Sequence, residues 1–364
     1  MEKKRIRICH FTSAHDSHDD RIYLKECMSL SEAGYQVYLA ARGSSENGAV
    51  KIAGCGEPHS RLDRILFFSR RVYNRARKLD CDIYHFHDPE LLFYGLKLKR
   101  QGKKVIFDSH EDVPAQILDK YWIPKCLRRI FSFAYKHYET YVVRQLDAVV
   151  AATGHIARCF KGRARRIVVI HNYPKLDDIV FQSAPFSERK QAVCYAGGIS
   201  EIRGEKIMIE AMQGIDADLI LAGEHEMVSY PNTSGGGDLI YAGKLDRNAV
   251  NSLYGNSRAG LCLLYPTDNY INSLPVKMFE YMAAGLPFVA SDFPLWKKIA
   301  RETKAGICVN AENIPEIQTA VKKLLQDNEM AEEMGRNGRK SIEKKYHWNI
   351  EAGKLERLYR KVMR

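Results

Sequence analysis

The sequence predicts an α/β protein with two Rossmann-like domains, and three observations carry that prediction. Short apolar, β-branched runs alternate with helical stretches almost from end to end, which is the pattern of parallel sheets wrapped by helices. The alternation lapses once near the middle of the chain and then restarts. A length of 364 residues also fits about two domains of ordinary size.

The first half of the chain carries six predicted strands and three predicted helices. The strands are expected at 6–11, 36–41, 82–87, 103–108, 147–153 and 166–171. The helices are expected at 20–33, 89–99 and 125–144. A polar, proline-bearing stretch at 172–190 then predicts a linker. We therefore expect the first domain at residues 1–175.

The second half repeats the pattern with six further predicted strands. They are expected at 192–198, 217–223, 238–243, 258–265, 286–291 and 305–310. The second domain is expected at 190–345, and a basic amphipathic helix at 346–364 is expected to cross back to the first domain. Because open α/β sheets bind ligands beyond the carboxyl ends of their strands, a central cleft between two facing domains is the expected site.

Charge and cysteine content narrow the function classes. The formal net charge of +12 favours an anionic partner: nucleotide phosphates, nucleic acid or an acidic membrane surface. Nine scattered cysteines without a C-x-x-C pair fit a reduced cytosol better than a disulfide framework or a cysteine zinc site. The sequence has no apolar run of about 18 residues for a membrane span and no signal-peptide core. A cytoplasmic location is therefore expected.

The segment 274–291 predicts a helix with an unusual carboxylate. Pro275 suits the first turn of a helix and Gly285 suits its end, while Lys277 and Glu280 share one face. A helix start that points out of a sheet offers backbone N–H groups to an anion, and Glu280, one turn further on, could accept hydrogen bonds from a ribose. The alternative is a solvated Lys–Glu pair on an exposed face, and spacing alone does not decide between them.

The wider stretch 272–294 resembles the signature of family-four glycosyltransferases of the GT-B fold, in which two glutamates precede small residues, a glycine and a proline. The resemblance implies that Glu280, which matches the second glutamate, holds the ribose of a sugar nucleotide. The first glutamate contacts the donor sugar in the family, and Asn272 replaces it here without a charge. Ser273 and Leu274 are expected beside it in the donor site.

Residues 194–212 resemble the turn with which the family clamps the donor diphosphate through an arginine and a lysine. Arg203 matches the second of these cations, and Gly198 stands where the first would be. Lys277 is the candidate for the missing cation. Gly197 and Gly198 would let the backbone approach a phosphate closely, although such a pair alone is more often just a turn.

Three further stretches of the first half resemble the acceptor side of the same family: 10–41, 83–92 and 105–114. The resemblance implies that His110 lies at a strand tip beside the donor sugar and the acceptor. It also assigns four residues to the acceptor side: His15, Asp19, Arg21 and His87. Asp20 is an alternative to Asp19.

A metal site is an open alternative in this half. His85 and His87 alternate on a predicted strand and would face the same side, where His110 and Asp108 could join them. The D-x-D sequence at 80–82 precedes a strand, so we interpret it as a helix-to-strand turn. The resemblance implies that no metal and no cofactor is needed besides the sugar nucleotide.

The resemblance implies a retaining, metal-independent hexosyltransferase that moves a sugar from a nucleoside-diphosphate sugar to a saccharide or lipid-linked acceptor, in cell-surface polysaccharide synthesis. Its catalytic groups would be His110, Arg203 and Lys277. The basic, aromatic stretch 125–144 could lie peripherally on the inner face of an anionic membrane, or simply cover the first sheet. A sugar-nucleotide epimerase or hydrolase on the same fold is the main alternative. A nucleic-acid-binding protein ranks last, because no such motif is present.

Overall fold

The computed structural model describes residues 5–120, 123–182, 184–225 and 236–364, and the chain divides into two compact units. The first unit comprises Met1–Asn172 together with Asn349–Arg364. The second unit comprises Tyr173–Trp348. Each unit contains one parallel sheet with its own apolar core.

The first unit is built on a seven-stranded sheet. Its strands are β1 (Arg7–Asp16), β2 (Gln36–Arg42), β3 (Val50–Gly54), β4 (Ile83–Phe86), β5 (Lys104–Ser109), β6 (Ala148–Ala151) and β7 (Ile167–Val169). Every registered pair is parallel, in the order β3-β2-β1-β4-β5-β6-β7. All residues of β4 and β6 are buried, as expected for central strands covered on both faces.

Helices follow most of these strands. A π-helical segment (Asp20–Cys27) leads into α1 (Met28–Glu32), and a second one (Arg64–Phe68) joins α2 (Arg61–Asp63) to α3 (Ser69–Lys78). A 3₁₀ turn (Pro89–Leu91) precedes α4 (Leu92–Arg100). The remaining helices before the end of this half are α5 (Val113–Asp119), α6 (Lys125–Val143) and α7 (Gly154–Phe160).

The second unit has a six-stranded parallel sheet. Its strands are β8 (Ala192–Ala196), β9 (Asp218–Ala222), β10 (Leu239–Gly243), β11 (Ala259–Cys262), β12 (Phe288–Ser291) and β13 (Gly306–Val309), in the order β10-β9-β8-β11-β12-β13. Its helices are α8 (Glu205–Met212), α9 (Arg247–Asn256), α10 (Asp268–Ile271), α11 (Val276–Ala284), α12 (Pro294–Thr303), α13 (Ile314–Gln326) and α14 (Asn328–Lys344). Short 3₁₀ turns lie at Leu176–Asp178, Phe186–Glu188 and Glu201–Arg203.

The twelve predicted strands are all present, with ends that shift by a few residues. Strand β3 was not predicted, because its short sequence follows a polar stretch and contains Lys51. The helical region 61–78 was not predicted either, since it exposes Leu62, Leu66 and Phe67 instead of showing a clean apolar stripe. The D-x-D sequence at 80–82 does lie between the end of α3 and the start of β4.

The prediction that residues 172–190 form a linker is wrong. The second unit begins at Tyr173, not near residue 190. Tyr173, Ile179 and Phe186 are all buried, and Tyr173 packs against Phe279 in a tilted arrangement with ring centroids 4.8 Å apart. Polar residues such as Asp177, Ser187 and Glu188 are therefore exposed positions between apolar anchors of this unit.

The final helix, α15 (Trp348–Met363), belongs almost wholly to the first unit. Its Tyr359 is buried, with the hydroxyl 2.7 Å from Nδ1 of His85 on β4. Glu351 on the same helix accepts a hydrogen bond from the backbone N–H of His171 at 3.1 Å. Within the described residues, the helices are too short or too polar to cross a bilayer.

Candidate functional site

The loop after β8 forms a close-packed glycine turn at the carboxyl edge of the second sheet. The N–H of Gly197 donates to the Ala222 carbonyl at 2.8 Å, and that of Ile199 donates to the Glu224 carbonyl at 2.8 Å. A Cβ added to Gly223 would lie 1.9 Å from the Gly197 carbonyl oxygen, far inside contact distance. Only glycine therefore fits at residue 223, and the turn is held down against the end of β9.

Two cationic side chains lie over this glycine turn. Nζ of Lys277 donates to the Tyr195 hydroxyl at 3.0 Å and sits 4.3 Å from the centroid of that ring. A guanidinium nitrogen of Arg203 lies 3.5 Å from the Gly198 carbonyl oxygen. A Cβ on Gly197 would be 3.1 Å from Nζ of Lys277, and one on Gly198 would be 2.5 Å from the same Arg203 nitrogen. The structure thus brings together four of the predicted residues.

A close backbone contact at Gly204 also holds the turn in place. A Cβ at this position would lie 1.7 Å from the carbonyl oxygen of Leu263, so the start of α8 packs directly on the backbone after β11. The Tyr195 hydroxyl donates to the Gly198 carbonyl at 2.9 Å. Tyr195 therefore links Lys277 to the turn, a role that no sequence motif indicated.

Helix α11 begins beside these groups. Pro275 precedes its first turn and no side chain caps it, so the first backbone N–H groups are not bonded by a capping residue. Unpaired N–H groups and the helix dipole together favour an anion at such a start. Gly285 ends the helix, as predicted. Cations and amides therefore converge at one edge of the second sheet.

Glu280, one turn into α11, is a held carboxylate with its side chain 14% exposed. One oxygen accepts a hydrogen bond from Arg247 at 2.8 Å, and the other accepts one from the Tyr254 hydroxyl at 2.9 Å. Burial, followed by the Glu280 charge, raises the pKa of Tyr254 well above its usual value. Lys277 bonds to Tyr195 instead of Glu280, so the solvated Lys–Glu pair is not the arrangement in this structure. Sequence spacing could not reveal Arg247 or Tyr254, because both come from α9.

The three other predicted donor-side residues precede α11. The Asn272 amide lies 3.4 Å from the Asp268 carbonyl and its side chain is exposed. Ser273 donates its hydroxyl to the Tyr270 carbonyl at 2.8 Å, while its own carbonyl accepts from the Trp296 indole at 2.8 Å. Leu274 packs on the apolar core of the unit. The loop is thus anchored at Ser273, while Asn272 faces solvent.

The first unit has a separate cavity of about 560 Å³. His15 and His110 border it, with ring centroids 5.8 Å apart in an edge-to-face arrangement. Nε2 of His110 lies 3.3 Å from Asp108, whose side chain is fully buried. The structure therefore places His110 at the end of β5, oriented by a carboxylate, as the sequence predicts for a strand-tip histidine.

Asp108 is the centre of a buried ion-pair network. Arg21 donates to both of its oxygens at 3.2 and 3.0 Å, and Arg21 also donates to the Ile170 carbonyl at 3.1 Å. Burial opposes ionisation of Asp108, but Arg21 outweighs it and holds the pKa of this carboxyl well below its usual value. Arg21 and His87 are almost completely buried. The position of Arg21 fits orientation of Asp108 and His110 better than direct contact with an acceptor, whereas His87 also borders the cavity.

His15 and Asp19 form a hydrogen-bonded pair of 2.8 Å at the start of the π-helical segment. Burial disfavours charge on both groups, but their mutual attraction raises the pKa of His15 and lowers the pKa of Asp19. The second oxygen of Asp19 accepts from the backbone N–H groups of Arg21 and Ile22, both at 2.9 Å. Asp19 is thus a helix cap and the partner of His15, while Asp20 pairs with Lys25 at 2.9 Å.

Two family models match the chain in tandem. Residues 24–173 match the model described as Glycosyltransferase Family 4, and residues 177–341 match the one described as Glycosyl transferases group 1. Phosphatidyl-myo-inositol mannosyltransferase of Mycobacterium leprae (strain TN) is 22% identical over 319 residues, which cover 82% of this chain and 79% of that protein. The sequence comparison therefore extends over both units.

Solved structures show the same fold at low identity. Sucrose-phosphate synthase from Thermosynechococcus elongatus has a TM-score of 0.75 and 17% identity, with 99% of each chain covered. HepE of Anabaena in complex with UDP has a TM-score of 0.71 and 12% identity, covering 98% of this chain and 100% of that one. The fold is GT-B, with two Rossmann-like α/β domains, as the sequence predicts.

The His15–Asp19 pair gives a testable pH dependence. Because the pKa of His15 is raised in the folded state, its stabilising effect is complete below the ordinary histidine pKa and is lost as pH rises through the raised value. Asp19→Asn keeps an oxygen for the helix cap but removes the charge. We expect this variant to lower the pKa of His15, measured by NMR titration, and to lose more unfolding free energy at pH 6 than at pH 9. An unchanged His15 pKa in Asp19→Asn contradicts this account.

Proposed function

Because the chain belongs to the family-four glycosyltransferases, we propose that it transfers a sugar from a nucleoside-diphosphate sugar with retention of anomeric configuration and without a catalytic metal ion. One observation carries the proposal: Lys277 and Arg203 lie over the Gly197–Gly198 turn beside the start of α11. Cations and backbone amides that meet at one point are suited to a diphosphate.

Charge development explains what these groups do. Cleavage of the bond between the sugar and the phosphate places growing negative charge on the leaving diphosphate. Preorganised donors aimed at such charge contribute about 100-fold or more in rate each. Arg203, Lys277 and the first N–H groups of α11 supply these donors. Together they offset the negative charge of the leaving diphosphate, which in the other common arrangement is offset by a divalent metal ion.

Glu280 binds the ribose in this account. A carboxylate oxygen accepts hydrogen bonds readily, and this one lies one turn beyond the proposed diphosphate site on the same helix. Arg247 and Tyr254 fix its orientation. A nucleotide that binds here competes with Arg247 for Glu280. On binding, the carboxylate therefore exchanges its hydrogen bond from Arg247 for one from the ribose. Asn272, Ser273 and Leu274 contribute to the sugar side of the donor, with an uncharged amide where relatives have a glutamate.

Retention follows from attack on the same face of the sugar. An acceptor hydroxyl oxygen bonds to the anomeric carbon, the bond to the diphosphate oxygen breaks, and the hydroxyl proton passes to the leaving phosphate. No covalent enzyme intermediate is required. His110 orients the donor sugar or the acceptor hydroxyl, and the buried Arg21–Asp108 pair holds His110 in place.

The acceptor is a saccharide or a lipid-linked saccharide for cell-surface polysaccharide, bound in the cavity of the first unit. The Mycobacterium leprae relative is named phosphatidyl-myo-inositol mannosyltransferase, and this name supports a lipid-linked acceptor. Arg61, Arg64 and Lys120 also border the cavity, and cationic borders suit a phosphate-bearing acceptor. We expect no nucleic acid among the partners.

Helix α6 offers a surface for peripheral membrane contact. Ile130, Phe131 and Phe133 are about half exposed or more, and exposed cations such as Lys136 lie on the same helix. Such a basic, aromatic helix fits an anionic bilayer surface. Tyr135 and Tyr138 of α6 border the acceptor cavity. A bilayer at α6 is therefore adjacent to the proposed site of a lipid-linked acceptor, at the inner face of the plasma membrane.

Two variants test the donor site. Glu280→Ala is expected to raise the Kd of the nucleotide about 10- to 100-fold, since hydrogen bonds to charged groups are worth about 1.5–3 kcal/mol. Arg203→Ala is expected to lower kcat about 100-fold, because its contact strengthens in the transition state. The nucleotide is chosen first by a thermal-shift screen of UDP-, GDP-, ADP- and CMP-sugars, since a ligand of the folded state raises Tm.

Matched controls are available on α14, where Glu329 and Arg336 are exposed. Glu329→Ala and Arg336→Ala should behave as wild type. Normal transfer by both Glu280→Ala and Arg203→Ala overturns the site. Release of free sugar at the same rate with and without acceptors supports a hydrolase instead.

Flotation with liposomes tests the membrane surface. We expect wild-type protein to float with vesicles containing phosphatidylglycerol and not with phosphatidylcholine alone. The double variant Phe131→Ser/Phe133→Ser should bind at least about 10-fold more weakly, because burying one such side chain is worth about 1.5–3 kcal/mol. Leu295→Ser, at an exposed leucine of α12, serves as control. Equal flotation of the wild type and the double variant removes the proposal.

A further inference from the structure

Three histidines of the first sheet meet in its buried interior. His10 on β1 is in register with His85 on β4, and His87 is two residues further along β4 on the same face. Ring centroids are 4.6 Å apart for His10 and His85, 4.9 Å for His85 and His87, and 5.2 Å for His10 and His87. All three side chains are buried. The sequence grouped His85 and His87 with His110 and Asp108, and it did not indicate His10 or Glu26.

Glu26 of the π-helical segment points into this cluster. Its carboxylate is fully buried, and one oxygen lies 3.8 Å from Nδ1 of His10. Among the residues that the structure describes, neither oxygen of Glu26 accepts a hydrogen bond, and Nε2 of His85 likewise has no hydrogen-bond partner. One Glu26 oxygen is ion-paired with Arg21, which leaves the oxygen nearest His10 and Nε2 of His85 as buried polar atoms without a hydrogen-bond partner in the described part of the chain. Such atoms are costly, so they indicate a missing ligand.

We propose that His10, Glu26, His85 and His87 bind one Zn²⁺ ion. Each residue offers one ligand atom, and the four atoms all lie within 4.8 Å of one another. Nδ1 of His10 is 3.0 Å from Nε2 of His87. Ligands at about 2.0–2.2 Å from a tetrahedral zinc stand roughly 3.3–3.6 Å apart, so small side-chain adjustments suffice. Three imidazoles and one carboxylate form a donor set that suits zinc.

The surroundings of the four ligands match what metal-bound histidines need. The Tyr359 hydroxyl oxygen lies 2.7 Å from Nδ1 of His85 and 2.9 Å from Nε2 of His10. Nδ1 of His87 is 3.5 Å from a carboxylate oxygen of Asp108. Metal-bound histidines usually give their second ring N–H to such a partner, which fixes the ring and its tautomer.

Arg21 and the burial of the four ligands also fit a metal site. Nε of Arg21 lies 3.1 Å from the other oxygen of Glu26 and orients that carboxylate. A divalent cation bound at this point is shielded from water, because all four side chains are buried.

The zinc has a structural role in this proposal. It joins β1, β4 and the π-helical segment, and its tyrosine partner on α15 ties the C-terminal helix to the same point. Its ligands belong to the first unit and the proposed diphosphate groups to the second. The inference is therefore independent of the proposed diphosphate site.

Metal analysis of the full chain, expressed without a polyhistidine tag and purified without chelators, tests the proposal. We expect about one zinc per chain by mass spectrometry, and about 0.1 or less in His85→Ala and Glu26→Gln. His155→Ala is the matched control, because His155 belongs to a different, partly exposed group with Asp112 and Cys159. It should keep the full zinc content.

A second measurement covers variants that fold poorly. Wild-type protein refolded with Co²⁺ should show the visible absorption of a four-coordinate site, and refolding with Zn²⁺ should give a higher Tm than refolding with EDTA. Tyr359→Phe, which keeps every ligand, should weaken zinc binding about 10- to 100-fold. Wild-type protein with no zinc, no cobalt spectrum and the same Tm in EDTA overturns the proposal, as does zinc lost in His155→Ala but kept in His85→Ala.

Discussion

The close contact between backbone segments in the second unit is the constraint on which the donor site depends. The Gly197 carbonyl packs where a Cβ on residue 223 would be 1.9 Å away, and the Leu263 carbonyl packs where a Cβ on residue 204 would be 1.7 Å away. These contacts press the turn after β8 onto the edge of the sheet. The turn then carries no side chain of its own, and the space above it is left to Arg203 and Lys277. The two cationic side chains can reach the site because the glycines of the turn place no side chain there.

Much of this arrangement could be predicted from the sequence, because parallel buried strands leave a clear apolar pattern. All twelve predicted strands formed, and Gly285 ends α11 as its position suggested. The grouping of Arg203 with Lys277 came from a resemblance combined with helical spacing. The structure adds the reason: both side chains border the same pair of glycines.

The features that the sequence did not reveal depend on contacts between distant parts of the chain. Arg247 and Tyr254 reach Glu280 from α9, and nothing in their local sequence marks them. Arg21 looked like an acceptor contact but forms a buried ion pair with Asp108, a residue far along the chain. The expected linker failed for a related reason, since its few apolar residues pack into the second unit. Composition shows polarity but not which apolar residues find partners.

The two units use charge in different ways. In the second unit, Arg203 is exposed and only weakly held, which suits a cation that meets an incoming anion. In the first unit, Asp108 and Glu26 are fully buried, and each is paired with Arg21, which is almost completely buried. Breaking such buried pairs is costly, so this network is suited to holding His110 and the histidine cluster in fixed positions. The net charge of +12 therefore reflects exposed cations, not the buried core.

The central claim is that Arg203 and Lys277 bind the diphosphate of the donor. Calorimetric titration with a nucleoside diphosphate and with its nucleoside, on the wild type and on Arg203→Ala/Lys277→Ala, tests it most directly. The account predicts that the wild type binds the diphosphate at least about 100-fold more tightly than the nucleoside, and that this ratio falls to about 10 or less in the double variant, given roughly 1.5–3 kcal/mol for each charged contact. A ratio that stays the same in the double variant contradicts the account.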